Sequence, residues 1–194
     1  MEFVATAWAC LGQGWTPGIG DPTWQGWVTV AAYLAALTLA LAVALRPGTG
    51  GRGFWIMLVP LLAFLAVNKQ LDLQTALTAT GRCMAQAQGW YEKRRPVQLT
   101  FIAGLLVLTV TVVALLALAL RHSLRRNGLA LLGLAVLGAF VLVRAVGFHG
   151  VDLLIGRDLG GLRFNFLFET AGLVLIALNA LILLSPRAPS AIRG

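Results

Sequence analysis

Four pairs of polar residues recur at a spacing of four, which places both members of a pair on one face of an α-helix. In lipid, such groups must be satisfied by one another or by a bound polar group. Two interpretations therefore stay open: a hydrogen-bonded network that only locks the helices together, or a site for a lipid headgroup, quinone or other amphiphile. The pairs are Asn68 with Asp72, Gln70 with Gln74, Arg94 with Gln98, and Asn165 with Glu169.

Two of the charged residues, Arg144 and Glu169, lie inside apolar segments. A charge within a membrane span costs about 2.5 to 3.5 kcal/mol on insertion scales, so each needs a partner. The simplest prediction is a direct salt bridge between the two side chains. The functional alternative is that Glu169 accepts a proton or a metal ion and is held ionised by Arg144.

His149 and Asp152 form a His-x-x-Asp step, which puts both side chains on one side of a helical turn. Together with Glu169 and Asp72 they offer the nitrogen and oxygen ligands of a zinc or iron site. The candidate metal ligands are thus His149, Asp152 and Glu169. Catalytic zinc sites commonly use two or three histidines, and only one lies here. The alternative is that Asp152 fixes the tautomer of His149, and no cofactor is identified.

The two cysteines, Cys10 and Cys83, fall on the same predicted side of the membrane. In an oxidising compartment they could pair as a disulfide that ties the N-terminal segment to a later surface helix. The alternative is that each packs as a small apolar residue.

No nucleophile motif accompanies these polar residues, since neither Gly-x-Ser-x-Gly nor His-Glu-x-x-His occurs. Whether the protein is an enzyme is therefore left open. The net charge of +8 would suggest nucleic-acid binding in a soluble protein. Here the basic residues lie in short connectors and at helix ends, where they set topology and contact headgroups. Nucleic acid is not predicted as a partner.

The composition requires that these residues be positioned by helices in a membrane. The chain is 59% hydrophobic and only 11% charged, whereas soluble domains carry about 25% charged residues. The hydropathy pattern predicts an all-α bundle of five membrane-spanning helices in one domain. The predicted spans are residues 24–45, 54–74, 96–120, 129–147 and 163–184.

The second span is purely apolar only to Val67, and 14 residues rise about 21 Å, short of the roughly 30 Å hydrocarbon core. We therefore expect this helix to continue through Gln74, with Lys69 snorkelling to the interface.

The remaining segments are predicted to lie outside the bilayer core. Residues 1–23 form an interfacial N-terminal segment. Residues 75–95 comprise an amphipathic surface helix, 75–90, and the charged collar that follows it. Leu77, Cys83, Met84 and Ala87 are predicted to share the buried side of this helix. Residues 185–194 form a basic tail.

The charges predict the orientation. All 7 acidic residues can be placed on one side of the membrane: Glu2, Asp21, Asp72, Glu92, Asp152, Asp158 and Glu169. The other side carries Arg46, Arg52, Arg121, Arg125, Arg126, Arg187 and Arg193 in short segments. The positive-inside rule assigns the acid-free side to the cytoplasm, which predicts an external N-terminus and a cytoplasmic C-terminus.

Three motifs resemble an uncharacterised family of bacterial multi-pass inner-membrane proteins. They are Asn68-Lys69-Gln70-Leu71-Asp72-Leu73-Gln74, Gly89-Trp90-Tyr91 followed by Arg94-Arg95, and His149-x-x-Asp152. The resemblance covers the chain from the first span to the fifth. It implies the bacterial inner membrane, with a periplasmic outer face, and assigns no activity to any residue.

Two functional classes are compatible with the sequence. The first, favoured because no complete catalytic set is present, is a non-enzymatic accessory or assembly subunit whose apolar surfaces contact the lipid bilayer and other membrane subunits. The second is a membrane enzyme, or a binder of a cofactor or lipid headgroup, that uses the polar cluster at the periplasmic mouth of the bundle.

Overall fold

The computed structural model of the protein describes residues 2–16, 18–146, 158–159 and 162–186. The described residues form seven α-helices, which confirms the all-α prediction. They are α1 (Glu2–Gly14), α2 (Trp24–Leu45), α3 (Arg52–Leu71), α4 (Leu73–Ala87), α5 (Arg94–Ala119), α6 (Leu124–Val146) and α7 (Phe164–Leu184). A 3-10 turn, Tyr91–Lys93, precedes α5, and a two-residue antiparallel pairing of β1 (Asp158–Leu159) with β2 (Leu162–Arg163) precedes α7.

Five of these helices, α2, α3, α5, α6 and α7, are long and apolar enough to cross a membrane. The predicted number of spans is therefore confirmed, and the chain has the architecture of a multi-pass membrane protein. The first span illustrates how the ends are set: the Thr23 side chain caps α2 by accepting a hydrogen bond from the Gly26 N–H at 3.2 Å. At the other end, Arg46 adopts an extended conformation and ends the helix.

The second span ends earlier than predicted, at Leu71 rather than Gln74. Asp72 has a φ of 47° and a ψ of 50°, in the left-handed region that short polar side chains tolerate. Its carboxylate accepts a hydrogen bond from the Thr75 hydroxyl at 2.6 Å, and α4 begins at the next residue. The extension to Gln74 is unnecessary because α3 begins at Arg52, and its 20 residues span about 30 Å.

The five long helices pack in a definite order. Helix α2 lies between α3 and α7, α6 packs on the other side of α7, and α5 packs chiefly against α6. The core is formed by α2, α3, α6 and α7. Its largest fully buried side chains include Trp55, Tyr33, Leu58, Leu62, Leu137 and Ile176. Helix α5 contributes none of the buried core residues.

Helices α6 and α7 are in close backbone contact at Gly133 and Gly172. A Cβ atom added to Gly133 would lie 2.6 Å from the Gly172 carbonyl oxygen, and one added to Gly172 would lie 3.0 Å from the Gly133 carbonyl oxygen. Only glycine, which has no Cβ atom, allows the two backbones to lie this close, so the crossing depends on both glycines.

Helix α4 packs against α1 and is joined to it by a disulfide between Cys10 and Cys83, whose Cα atoms lie 5.6 Å apart. The predicted buried side of α4 was partly wrong: Leu77 and Ala87 are exposed, Cys83 and Met84 are half-buried, and Ala76 and Ala85 are buried. The reason is that α4 contacts α1 and the Tyr91–Lys93 turn, rather than resting on a single flat surface.

Candidate functional site

The described acidic side chains lie at one end of the bundle, whereas basic side chains lie at both ends. Helix α3 ends where α2 and α7 begin, and this end, called the acidic end below, carries Asp21, Lys69 and Glu169. At the opposite end, the Arg46 guanidinium donates to the Leu183 carbonyl at 2.6 Å, and the Arg52 guanidinium donates to the Ala44 carbonyl at 2.8 Å. Both arginines thus bond backbone carbonyl oxygens near helix C-termini, where a positive charge is favourable.

Four side chains form a connected group at the acidic end. The Glu169 Oε1 atom accepts a hydrogen bond from the Tyr33 hydroxyl at 3.0 Å. The Glu169 Oε2 atom lies 3.2 Å from Lys69 Nζ, which lies 3.4 Å from Asp21 Oδ2. We call Asp21, Tyr33, Lys69 and Glu169 the acidic-end cluster. Because it joins α2, α3, α7 and the segment before α2, it ties three membrane-spanning helices together.

Solvent exposure falls steadily along this group. The side chain of Asp21 is 25% exposed, that of Lys69 is 7% exposed and that of Glu169 is 3% exposed, and Tyr33 as a residue is 2% exposed. The cluster therefore runs from the surface of the acidic end into the core without a break longer than 3.4 Å.

The segment between α1 and α2 holds Asp21 in place over the end of α3. The Trp15 indole N–H donates to the Leu71 carbonyl at 2.9 Å, and the Gly20 N–H donates to the Gln70 carbonyl at 2.6 Å. Gly20 fits because a Cβ there would lie 2.8 Å from the Asp72 Cβ. These contacts cover the C-terminal end of α3 and leave Asp21 beside Lys69.

The environment of Asp21 favours its ionised form. Burial alone would raise the pKa of its carboxyl, but hydrogen bonds from the Thr23 hydroxyl and N–H, together with the positive charge of Lys69, outweigh it. The Thr23 hydroxyl lies 2.6 Å from Asp21 Oδ1, and its backbone nitrogen lies 3.3 Å away. The net effect is a pKa lowered from the ordinary value.

Sequence reasoning misplaced Lys69. We expected it to snorkel outward, but its ammonium lies between two carboxylates and is almost fully buried. A buried ammonium needs compensating charge, which Asp21 and Glu169 supply. The predicted partner of Glu169, Arg144, has a side chain outside the described part of the structure. The one signal for Tyr33 was its position as a lone phenol within the apolar run of α2.

The other predicted cluster residues are distributed more widely. Asn68 and Asp72 are half-buried at the end of α3, where the Asp72 N–H donates to the Asn68 carbonyl at 3.0 Å. Gln98 is exposed in the first turns of α5, and Asn165 is half-buried one turn before Glu169. Outside the description lie His149 and Asp152 and the side chains of Gln74, Arg94 and Arg144.

Several buried polar atoms near the cluster have no hydrogen-bond partner within the described residues. They are the side-chain oxygen and nitrogen of Gln70, the Asn165 Oδ1 atom and the Thr170 hydroxyl oxygen. Gln70 follows Lys69, and Thr170 follows Glu169. Buried polar groups in native proteins bond to protein, ordered water or a ligand.

Of the residues offered as metal ligands, Asp72 and Glu169 are described, while His149 and Asp152 lie outside the described residues. The Glu169 carboxylate is engaged by Lys69 and Tyr33, and the Asp72 carboxylate accepts a hydrogen bond from Thr75. Within residues 2–16, 18–146, 158–159 and 162–186, no group of three His, Cys, Asp or Glu side chains is arranged to hold a metal ion.

Two buried asparagines near the opposite end were missed by sequence reasoning. The Asn179 amide of α7 accepts from the Ala130 N–H at 2.8 Å and donates to the Arg126 carbonyl at 2.6 Å. The Asn127 amide accepts from the Trp55 indole at 2.8 Å and donates to the Gly50 carbonyl at 3.1 Å. Their bonding to backbone and indole groups gives them a role in helix packing.

Comparison with protein-family models, with curated proteins and with solved structures finds no match to this chain. The functional proposals therefore rest on two features described above: the packing of α5 and the acidic-end cluster.

Proposed function

We propose that the protein is a non-enzymatic accessory or assembly subunit of a larger complex in the bacterial inner membrane. The observation that carries the proposal is the position of α5. None of its most apolar stretch is buried, whereas 28 to 39% of the corresponding stretch is buried in the other four spans. The helix with the highest mean hydropathy is thus the one least used by the protein's own core.

The surface of α5 has the chemistry of a helix-packing surface. A shallow groove of ≈ 650 Å³ runs along its first half, and its described lining is Pro96, Val97, Thr100, Phe101, Gly104, Leu105 and Leu108. Thr100 and Gly104 are small and four residues apart, so a neighbouring helix can approach closely there. The expected partner is an apolar membrane-spanning helix of another subunit, and lipid covers the remaining apolar surface.

The proposed orientation places the acidic end, with α1 and α4, in the periplasm and the C-terminus in the cytoplasm. It is supported by the short connectors at the opposite end, which carry Arg46, Arg52, Arg121, Arg125 and Arg126 and no acidic residue. The disulfide between Cys10 and Cys83 lies at the acidic end, and such bonds persist in oxidising compartments.

The subunit proposal is tested by site-specific photo-crosslinking in native membranes. A photoreactive residue replaces Leu108 on α5, which is 59% exposed, or the matched position Ile182 on α7, which is 56% exposed. We expect a discrete protein adduct from position 108 and lipid adducts alone from position 182. Lipid adducts alone from both positions, with a stable monomer after extraction in mild detergent, would contradict the proposal.

A second candidate function is a membrane enzyme, or a binder of a cofactor or lipid headgroup, at the acidic-end cluster. It is supported by buried polar atoms of Gln70, Asn165 and Thr170, which have no hydrogen-bond partner among the described residues and lie within four residues of Lys69 or Glu169 in the sequence. Mass spectrometry of an organic extract of the purified protein tests it. A bound molecule should be present in the wild type, lost in Glu169→Gln, and retained in Glu92→Gln, a variant of an exposed acid.

A further inference from the structure

We propose that Arg126 binds the phosphate group of an anionic phospholipid, at the end of the bundle opposite the acidic-end cluster. The inference does not depend on α5 having a partner. It does not depend on the orientation of the bundle either, because both leaflets of a bilayer present lipid phosphates. It rests on where Arg126 lies and on the charges around it.

The connector between α2 and α3 packs against the start of α6. The Asn127 side-chain amide donates to the Gly50 carbonyl at 3.1 Å and accepts a hydrogen bond from the Trp55 indole at 2.8 Å. Gly51 has a φ of 80°, and a Cβ added to it would lie 2.6 Å from the Asn127 Nδ2 atom. This packing holds the first turn of α6, which includes Arg126, against the connector.

The Arg126 guanidinium lies beside the backbone of this connector. A Cβ added to Gly50 would lie 3.1 Å from the Arg126 Nη1 atom. The Arg126 Nε atom is buried and has no hydrogen-bond partner within the part of the chain that the structure describes. A guanidinium carries five N–H donors, and buried donors in native proteins find an acceptor. Arg126 is therefore placed to bind an oxygen-rich group from outside the described residues.

The described acidic side chains are remote from Arg126, because all of them lie at the acidic end: Asp21, Asp72, Glu92 and Glu169. Glu2 and Asp158 belong to α1 and β1, which are elements of that end. Residues 187–194, which follow the end of α7, contain no aspartate or glutamate.

Asp152 is separated from Arg126 by the length of α6. It follows the last residue of that helix, Val146, by six residues, which span at most about 22 Å. Arg126 precedes Val146 by 20 residues, or about 30 Å along the helix axis. The backbone of this segment therefore cannot reach back to Arg126.

The surroundings of Arg126 favour an anion over a neutral acceptor. The guanidinium groups of Arg46 and Arg52 at this end donate to backbone carbonyl oxygens, which leave their charges unneutralised. Helices α3 and α6 both begin here, and neither has an acidic residue in its first turn. Helix N-termini carry a partial positive charge, so they add to the field of the arginines.

The position of Arg126 identifies a lipid as the source of the anion. Helices α3 and α6 are long and apolar enough to cross a membrane, so their first turns lie at the depth of the headgroups. A bilayer holds phosphates at this depth, whereas a free phosphate must be captured from dilute solution. The planar guanidinium matches two oxygens of a phosphate.

Native mass spectrometry of the full-length protein, stripped of bound lipid, tests the proposal. The protein is titrated with phosphatidylglycerol, phosphatidylcholine and glycerol 1-phosphate, each of which carries a phosphate. We expect one phosphatidylglycerol to bind about tenfold more tightly than phosphatidylcholine, because choline brings a positive charge to the arginines. Glycerol 1-phosphate should not bind in this concentration range. Arg126→Gln should weaken phosphatidylglycerol binding about tenfold.

The matched control is Arg125→Gln, which removes the same charge from an exposed neighbour and should weaken binding less than about twofold. Equal losses in the two variants would overturn the site, because total charge alone would then attract the lipid. Equal binding of the two lipids would overturn the preference for an anionic headgroup. Glycerol 1-phosphate bound as tightly as phosphatidylglycerol would overturn the lipid as the source of the phosphate.

Arg126→Lys keeps the positive charge and provides a second variant if Arg126→Gln fails to fold. An ammonium cannot form the paired hydrogen bonds of a guanidinium, so this variant should bind phosphatidylglycerol about threefold more weakly than the wild type. Unchanged binding in Arg126→Lys would overturn the role of the guanidinium.

Discussion

At the scale of single residues, the lowered pKa of Asp21 links the stability of the acidic end to pH. Because its folded-state pKa lies below the unfolded value of 3.8, the stabilisation is fully present above that value and is lost as the pH falls through the folded-state value. We expect the thermal unfolding temperature in detergent to fall as the pH drops below about 4, and to fall less in Asp21→Asn. Equal pH dependence in the two proteins would contradict this.

Replacement of Asn179 should weaken the contact between α6 and α7. Its side-chain amide accepts a hydrogen bond from the Ala130 N–H and donates one to the Arg126 carbonyl. These two backbone groups lie four residues apart on α6. Asn179→Ala should destabilise the protein by about 1 to 2 kcal/mol. Thermal unfolding of this variant is compared with that of Leu178→Ala, at a lipid-exposed neighbour, which should unfold close to the wild type.

At the scale of elements, the close crossing of α6 and α7 depends on Gly133. In Gly133→Val the new Cβ would overlap the Gly172 carbonyl and Ile176, so the helices must separate. We expect the free energy of unfolding to fall by about 3 kcal/mol, the upper end of the usual cost of overpacking a core. Gly104→Ala on α5 is the matched control, because no atom lies within 4 Å of its added Cβ. If both variants unfold at the wild-type temperature in detergent, the crossing is not tight.

The attachment of α1 to α4 depends on the bond between Cys10 and Cys83. The disulfide closes a loop of 73 residues, and chain entropy for such a loop corresponds to about 4 kcal/mol. Reduction, or Cys10→Ser, should therefore lower the unfolding temperature and open residues 15–23 to protease. A protease digestion pattern identical with and without reductant would show that α1 stays docked without the bond.

At the scale of the whole molecule, the separation of charges predicts the orientation of the bundle. A fluorescent protein fused after Ser185 should be fluorescent, because it remains in the cytoplasm, and alkaline phosphatase fused there should be inactive. Fusions placed in the connector at Gly50 should behave in the same way. Active phosphatase at both sites would reverse the orientation and place the acidic end in the cytoplasm.

Much of the architecture could be predicted from local patterns. The five spans follow from apolar length, because a helix of about 20 apolar residues is long enough to cross the hydrocarbon core whatever its neighbours are. The end of α3 was harder, because Asp72 stops the helix through a left-handed conformation that no hydropathy pattern encodes. Similarly, the face of α4 that becomes buried depends on α1, which is distant in sequence.

The sequence by itself thus determined the number of helices long and apolar enough to span a membrane, because hydropathy acts segment by segment. Only the tertiary structure decided that Lys69 joins Glu169 and Asp21, that Tyr33 completes the group, and that Asn179 bonds α6. The physical reason is that partner choice depends on the rotation and adjacency of packed helices. Rotation and adjacency are set by close contacts such as that between Gly133 and Gly172. Each such contact depends on many residues of both helices.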